Sequence, residues 1–284
     1  MSIRVHVSAA RQRLRAAGIT PTESDLDARL LAQHVLGWTT ERFLVDAREP
    51  EPEGFMLRYD ALVSRRVTRE PFAYIVGVRE FWGLELEVTR DVLIPRPATE
   101  LIVEAIQELF PDRSVPLSIA DVCTGCGCVA VAIGHERQTT TVRGMDISRP
   151  ALEVARRNAA RHGVSDRVTF TYGDLLDGVA GTFDAIVANP PYVVDRAAPV
   201  LQPEVRDYEP AVALFGGVNG LTLVTRLVAA APDRLRPGGY LVFEFGLGQD
   251  VEVEDLLKAS PDLALVDLRR DLQGIARTAI AKRV

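Results

Sequence analysis

The 284-residue sequence is short of several things, and each shortage removes a class of answer. Only two lysines, Lys258 and Lys282, stand among its 33 cationic residues, and the net charge is −6. A protein that grips phosphate backbones is normally basic, so stable nucleic-acid binding is not expected. No window approaches the roughly 18 uninterrupted apolar residues of a membrane span. The stretch from Met1 to Arg11 carries charges but no apolar core of the signal-peptide kind. A cytoplasmic protein without membrane association is the expectation. Its three cysteines, Cys123, Cys126 and Cys128, fall within six residues, too close together for disulfides that staple distant segments. Their spacing admits zinc or an iron–sulfur cluster, yet a closed tetrahedral site needs four ligands and His135 is the one nearby addition. No metal is expected.

What is present is ordinary in amount: 47% hydrophobic and 25% charged residues, the balance of a chain that folds. Its length exceeds what one core usually needs, which predicts a large domain and a smaller one. Up to about residue 70 the pattern is helical. Ile19 to Pro21 breaks a first helix, Leu26, Leu30, Leu31 and Val35 recur at three-to-four spacing before Gly37, and short helices follow over Thr40–Asp46 and about Glu53–Val67. The charge is +1 through residue 80 and −7 beyond it. From Pro71 to Thr89 the period changes to two, with Tyr74, Val76 and Val78, then Leu84, Leu86 and Val88, around Gly83, which predicts a β-hairpin. The expected division is a helical domain over 1–70, a hairpin linker over 71–95 and a larger domain over 96–284.

In the larger part, apolar runs suited to buried parallel strands alternate with helical stretches. Strands are expected at Leu117–Cys123, Thr141–Asp146, Val168–Tyr172 and Phe183–Ala188, with helices at Val129–Arg137 and Pro150–His162. A helix over Leu221–Leu235, a turn at Pro237-Gly238-Gly239, a strand Tyr240–Phe245, a helix near Val251–Ala259 and strands Ala264–Arg269 and Ala276–Ala281 complete the chain. This is a doubly wound α/β domain with an antiparallel ending.

Two constellations carry chemistry. The first runs Asp121-Val122-Cys123-Thr124-Gly125-Cys126-Gly127, closing one strand and opening a helix, with Asp146 ending the next strand. Glycines let a backbone approach a ligand, and an acid at the second strand's tip can accept both hydroxyls of an adenosine ribose. The glycines alone leave a nicotinamide enzyme open, and such turns also occur without ligands. The Asp121 carboxylate would repel a pyrophosphate but suits the ammonium or sulfonium of S-adenosylmethionine. Asp174, after the third strand, is placed to meet an adenine amino group while Leu175 packs on the ring.

The second constellation, Ala188-Asn189-Pro190-Pro191-Tyr192, follows the fourth strand directly. Two prolines remove two donors and hold a fixed shape. A planar amide or aryl amine is a poor nucleophile because its lone pair is delocalised. Acceptors on its two N–H groups, the Asn189 side-chain oxygen and the Pro190 carbonyl, favour the more nucleophilic pyramidal form, while Tyr192 stacks on the flat group. No base is needed before attack. Phe81 and Trp82 are expected to pack the hairpin rather than line a site.

In order along the chain, Pro71-Phe72 with Tyr74-Ile75-Val76-Gly77, Arg79-Glu80-Phe81-Trp82-Gly83, Ile94-Pro95-Arg96-Pro97 with Thr99-Glu100, the glycine loop, Asn189-Pro190-Pro191-Tyr192, and Glu209-Pro210 with Ala213-Leu214 and Gly216-Gly217 resemble the protein-glutamine methyltransferases of the HemK/PrmC family. The resemblance implies a class I, Rossmann-like methyltransferase domain behind a small helical N-terminal domain and a hairpin linker. It implies methylation, from S-adenosylmethionine, of the glutamine side chain in the Gly-Gly-Gln motif of peptide chain release factors. It also implies cofactor roles for Cys123 to Gly127, Asp146, Leu175 and Asn189, and a substrate role for Asn189 to Tyr192. Cys123 and Cys126 stand where relatives commonly carry Gly and Thr or Ser, and Ile275-Ala276 precede Arg277 where a charge is frequent. The same chemistry on a ribosomal-protein glutamine is the near alternative. Adenine-specific DNA methylation, which uses a related motif, is disfavoured by the net charge. A catalytically idle adenosyl-binding module is disfavoured by the intact motif. A monomer acting on release factors is the expectation.

Overall fold

The computed structural model describes residues 1–284. It divides into two compact units, one of Met1–Gly77 with Gln202–Tyr208, the other of Val78–Leu201 with Glu209–Val284. No helix is long and apolar enough to cross a membrane.

The first unit is helical: α1 (Ile3–Ala16), α2 (Pro21–Leu36), α3 (Thr40–Asp46), α4 (Phe55–Val67) and α5 (Phe72–Val76). Helix α2 shows why the breaks fall where they do. The Thr20 side chain accepts the Glu23 amide at 3.3 Å, the capping bond that a helix start needs. Pro21 takes the first helical position, where no donor is missed. Gly37 ends the helix with φ 64°, the left-handed conformation that glycine adopts without strain. Ile3, Val7, Leu14, Leu31, Phe55 and Val63 fill a core between the helices. Beside it Arg66, 4% exposed, is paired with Asp27 at 2.8 Å and with Glu204 of the Gln202–Tyr208 segment at 2.9 Å.

One expectation fails at its edge. The alternating residues from Tyr74 to Val78 do not begin the hairpin, because Phe72–Val76 is helical. Ala73, Tyr74 and Ile75 are all buried in succession, which an alternating strand with one solvent face cannot do. Pro71 before the turn and Gly77 after it, at φ 80°, bracket a short helix. The hairpin itself, β1 (Val78–Phe81) and β2 (Leu84–Glu87), is antiparallel and belongs to the second unit, where Phe81, Leu84 and Leu86 join the core.

That unit is built on a seven-stranded sheet with β3 (Ser118–Val122), β4 (Thr141–Asp146), β5 (Val168–Tyr172), β6 (Phe183–Ala188), β7 (Leu235–Glu244), β8 (Leu263–Arg270) and β9 (Ala276–Arg283). Their order is β5-β4-β3-β6-β7-β9-β8, parallel from β5 to β7, with β9 inserted antiparallel to both neighbours. Successive side chains of the central strands serve opposite faces. Ala185 and Val187 enter one core with α6 (Glu100–Leu109), α7 (Cys128–Glu136) and α8 (Arg149–Arg161), while Ile186 and Ala188 enter the other with α10 (Thr222–Arg234) and α11 (Asp250–Lys258). The short α9 (Pro203–Tyr208) lies in the segment grouped with the first unit. Pro237-Gly238-Gly239, expected as a turn, is instead an irregularity inside β7, since Phe183 pairs with Leu235 but Ala185 with Tyr240.

Replacing Arg66 by Ala leaves Asp27 without its cation in a dry setting and leaves Glu204 with Arg69 alone, and breaking such a buried pair costs about 3–5 kcal/mol. Denaturant unfolding of the Arg66→Ala protein is expected to show that loss, and an unchanged midpoint would refute the buried pair as a structural tie.

Candidate active site

The strand order places a switch point between β3 and β6, where chain connections leave in opposite directions and open a crevice at the strands' carboxyl ends. A cleft lies at these ends. It is lined by Asp121, Cys123, Thr124, Gly125, Cys126, Asp146, Asp174, Leu175, Asn189 and Pro191, together with Pro95, Thr99, Ile147 and Val212. Gly127, Pro190 and Tyr192 are not on its wall. Gly127 precedes α7 at φ 80° and meets α8 and β5, where a Cβ would press on Ala155 and Phe170.

Two cleft residues that are not glycine, Cys123 and Leu175, hold left-handed conformations, φ 59° and 53°. Such backbone persists when its surroundings over-determine it. Here the loop is tied on several sides. The Thr124 amide donates to the Met145 carbonyl at 3.0 Å, the Gly125 amide to Asp146 Oδ2 at 2.9 Å, and the Ser148 amide to Asp146 Oδ1 at 2.8 Å. Asp121 is 1% exposed and accepts from the Thr124 hydroxyl at 2.5 Å and the Ala130 amide at 3.2 Å. Buried Asn158 of α8 donates to the Cys126 carbonyl at 2.9 Å and exchanges hydrogen bonds with the Glu87 backbone.

Burial raises the carboxyl of Asp146 above its ordinary range, and burial with the nearby Asp146 charge pushes Asp121 up to about 7, since a poorly solvated anion is disfavoured. The wall holds aspartates and no arginine or lysine, a field that favours a cationic ligand and repels a pyrophosphate. Asp174 is more exposed and accepts from Arg226 at 2.9 Å. Burial raises the Cys123 thiol above its ordinary range, so it stays protonated beside these acids.

The asparagine motif leaves β6 and is braced from behind. Val193 donates to the Leu214 carbonyl and Gly216 to the Val193 carbonyl, each at 2.9 Å, so the chain beyond the motif pairs with the segment that returns after Glu209. The Gln249 side chain donates to the Tyr192 carbonyl at 3.1 Å and the Asn219 carbonyl at 3.2 Å, and accepts from the Gly246 amide at 2.7 Å. A Cβ on Gly216 would overlap the Pro191 carbonyl oxygen, and one on Gly220 the Tyr192 carbonyl oxygen. Arg96 pairs with buried Glu209 at 2.6 Å, tying two sequence motifs that lie over a hundred residues apart.

Three polar residues behind the motif are not singled out by sequence reasoning: Thr99, Glu244 and Gln249. Asn189 Nδ2 donates to Thr99 Oγ1 at 3.0 Å, Thr99 donates to Glu244 Oε2 at 2.6 Å, and the Tyr192 hydroxyl donates to Glu244 Oε1 at 2.9 Å. Thr99 is visible only as part of the Ile94-to-Glu100 motif, and Gln249 has no signal. Glu244 does carry one, a lone acid near the end of the apolar run Tyr240–Phe245.

Residues 7–77 match the PrmC N-terminal domain family and residues 96–203 the methyltransferase small domain family. The chain is 38% identical over 277 residues to a release factor glutamine methyltransferase of Nitratidesulfovibrio vulgaris, covering 96% of this chain and 92% of that one. It is 40% identical over 260 residues to one from Neisseria gonorrhoeae, covering 90% and 93%. A solved methyltransferase from Pyrococcus furiosus shares the fold at TM-score 0.51 and 18% identity, over 70% of this chain and 89% of that one.

Because two carbonyl oxygens occupy the space beside Gly216, Gly216→Ala forces backbone to move. Overpacking of this kind costs about 1–3 kcal/mol. Chemical denaturation of that variant is expected to show the loss. A wild-type midpoint would mean that the returning segment does not press on the motif.

Proposed function

The chain belongs to the release factor glutamine methyltransferase family, and we propose that its acceptor is the side-chain amide of the glutamine in the Gly-Gly-Gln motif of a peptide chain release factor. S-adenosylmethionine is the donor and supplies, when bound, a methyl group on a sulfonium. The observation that carries the reading is the meeting, in one acidic cleft, of the glycine loop with Asn189.

The donor's parts are assigned as follows. Asp146, at the tip of β4, takes the ribose hydroxyls. Asp121, with Cys123, Thr124, Gly125, Cys126 and Gly127 shaping the loop around it, faces the cationic amino-acid portion. Asp174 and Leu175 serve the adenine, the leucine by packing on its ring. This assignment is supported by the lining of the cleft and by the absence of cations from it.

On the acceptor side, Asn189 Oδ1, from a residue of the cleft wall, is assigned one N–H of the glutamine amide, and the Pro190 carbonyl, from the residue between wall members Asn189 and Pro191, the other. Neither oxygen accepts a hydrogen bond within the protein. Pro191 and Tyr192 fix the shape of the pocket. Acceptors placed this way draw the nitrogen lone pair out of conjugation, which lowers the barrier at the moment of attack. The nitrogen pair forms the bond to the methyl carbon while the carbon–sulfur pair returns to sulfur, and the nitrogen then releases its extra proton to water. The helical domain, to about residue 70, holds the body of the release factor, since a flat carboxamide alone offers little to select.

Two variants separate binding from chemistry. Asp146→Ala should weaken S-adenosylmethionine by about 1.5–3 kcal/mol, the scale of a hydrogen bond to a charged group. Calorimetry with unchanged affinity removes the ribose assignment. Asn189→Ala should slow single-turnover methyl transfer to a release factor by about 100-fold or more at saturating donor, as loss of a transition-state partner does. A rate near wild type removes Asn189 as the amide-orienting group.

A further inference from the structure

Glu244 ends β7 as an acid 1% exposed, and both of its oxygens are met by hydroxyl groups. The Thr99 contact, at 2.6 Å, is the shorter. A carboxylate that accepts on both oxygens shows the pattern of the ionised form. Tyr192 keeps its proton, because burial and the adjacent Glu244 charge both raise the phenol above its ordinary range. Burial also raises Glu244, opposed by the two hydroxyls and by the positive charges of Arg277 and Arg96.

The consequence runs along the chain of protons. Thr99 has a single proton and gives it to Glu244, so toward Asn189 its oxygen can only accept. The group of Asn189 at 3.0 Å from it must then be the amide nitrogen. The Oδ1 end is the one left for a substrate. Without the carboxylate, Thr99 is free to donate to Asn189, the carboxamide can turn over, and an N–H would then face the glutamine amide where an acceptor is needed. The same carboxylate holds the Tyr192 ring by its hydroxyl, three residues further along the motif.

We infer that Glu244 and Thr99 are positioning residues for methyl transfer: a buried carboxylate, acting through one threonine hydroxyl, sets the Asn189 carboxamide with its oxygen toward the acceptor glutamine. The inference rests on the assignment of Asn189 to the acceptor amide. Neither residue touches the reacting atoms, and their contribution is to which way one side chain is turned.

The test uses the full chain, S-adenosylmethionine and a release factor. Glu244→Gln keeps the shape but offers an N–H to one of the two hydroxyls, and Thr99→Val keeps the shape but removes the relay. Each should lower the single-turnover rate about 10-fold or more, with donor affinity changed less than about twofold, the signature of an interaction used in the reaction step and not in donor binding. Thr99→Ser, which restores the hydroxyl, should return the rate to within about threefold of wild type, and the Thr99→Val/Glu244→Gln double variant should lose no more than the worse single one, as groups acting in series do. Thermal unfolding screens each variant, and the threonine pair suffices if Glu244→Gln does not fold. Folded Thr99→Val with a near-normal rate, beside a crippled Asn189→Ala, overturns the relay and leaves the asparagine assignment standing. A near-normal Asn189→Ala overturns that assignment itself.

Discussion

The register of two neighbouring strands governs the rest of the molecule's chemistry. β3 and β6 are far apart in sequence but pair in parallel, and Val122 lies opposite Ala188. Parallel neighbours are about 4.8 Å apart, so the residues that follow them, Cys123 and Asn189, leave the sheet at the same level one strand apart. A one-residue slip would turn Ala185 and Val187 from one core to the other, and both faces of these strands are buried. The register is therefore enforced by two hydrophobic cores at once. The distance between the glycine loop and the asparagine motif is set by apolar packing.

On that frame the site collects acids in poorly solvated places. Asp121, Asp146 and Glu244 are all pushed toward protonation by burial, yet each is countered by a different device. Asp146 accepts backbone amides from the glycine loop and from the start of α8. Asp121 has one hydroxyl and one amide, and Glu244 two hydroxyls. None of the three is neutralised by a direct salt bridge. A buried anion held by neutral dipoles retains much of its field, and that field is available to a cationic ligand in the case of the two cleft aspartates. Glu244 lies off the cleft wall and directs its influence into hydroxyl protons instead.

Much of the fold was legible because strands buried on both faces announce themselves as apolar runs, and the five parallel strands and the antiparallel end follow from runs such as Phe183–Ala188. The glycine loop and the asparagine motif were legible because each directly follows such a run. What the sequence does not display is set by three-dimensional neighbours. Phe72–Val76 is an unbroken apolar run, Phe-Ala-Tyr-Ile-Val, in which Tyr74 and Val76 can be read at period two, while the burial of Ala73, Tyr74 and Ile75 in succession belongs to a helix. Gln202–Tyr208 joins the helical unit through Glu204 and its two arginines, a grouping invisible to any contiguous division of the chain. Gly216 and Gly220 look like turn residues, and only their nearness to two carbonyl oxygens gives them a second reason. Thr99 and Glu244 stand 145 residues apart, and a hydrogen bond over that separation leaves no local trace.

On the proposed assignment of the cleft, the division of labour between its two halves follows from the charge each would handle. A sulfonium is attracted by fixed anions at any orientation, so in the proposed assignment Asp121, near the end of β3 and bonded to Thr124 of the loop, serves it without fine control of a single torsion. A neutral carboxamide offers no charge to steer it, and it is activated only by acceptors at the correct ends of its N–H bonds. Asparagine is a hazardous choice for that task, because its two ends have the same shape and opposite hydrogen-bonding character. A side chain that can present either end needs a neighbour whose own donor is already committed. Thr99 meets this need because a buried carboxylate takes its proton, and the prolines that follow Asn189 hold the backbone from which the carboxamide projects. In this proposal the most deeply buried charge near the motif acts on the least charged partner in the reaction.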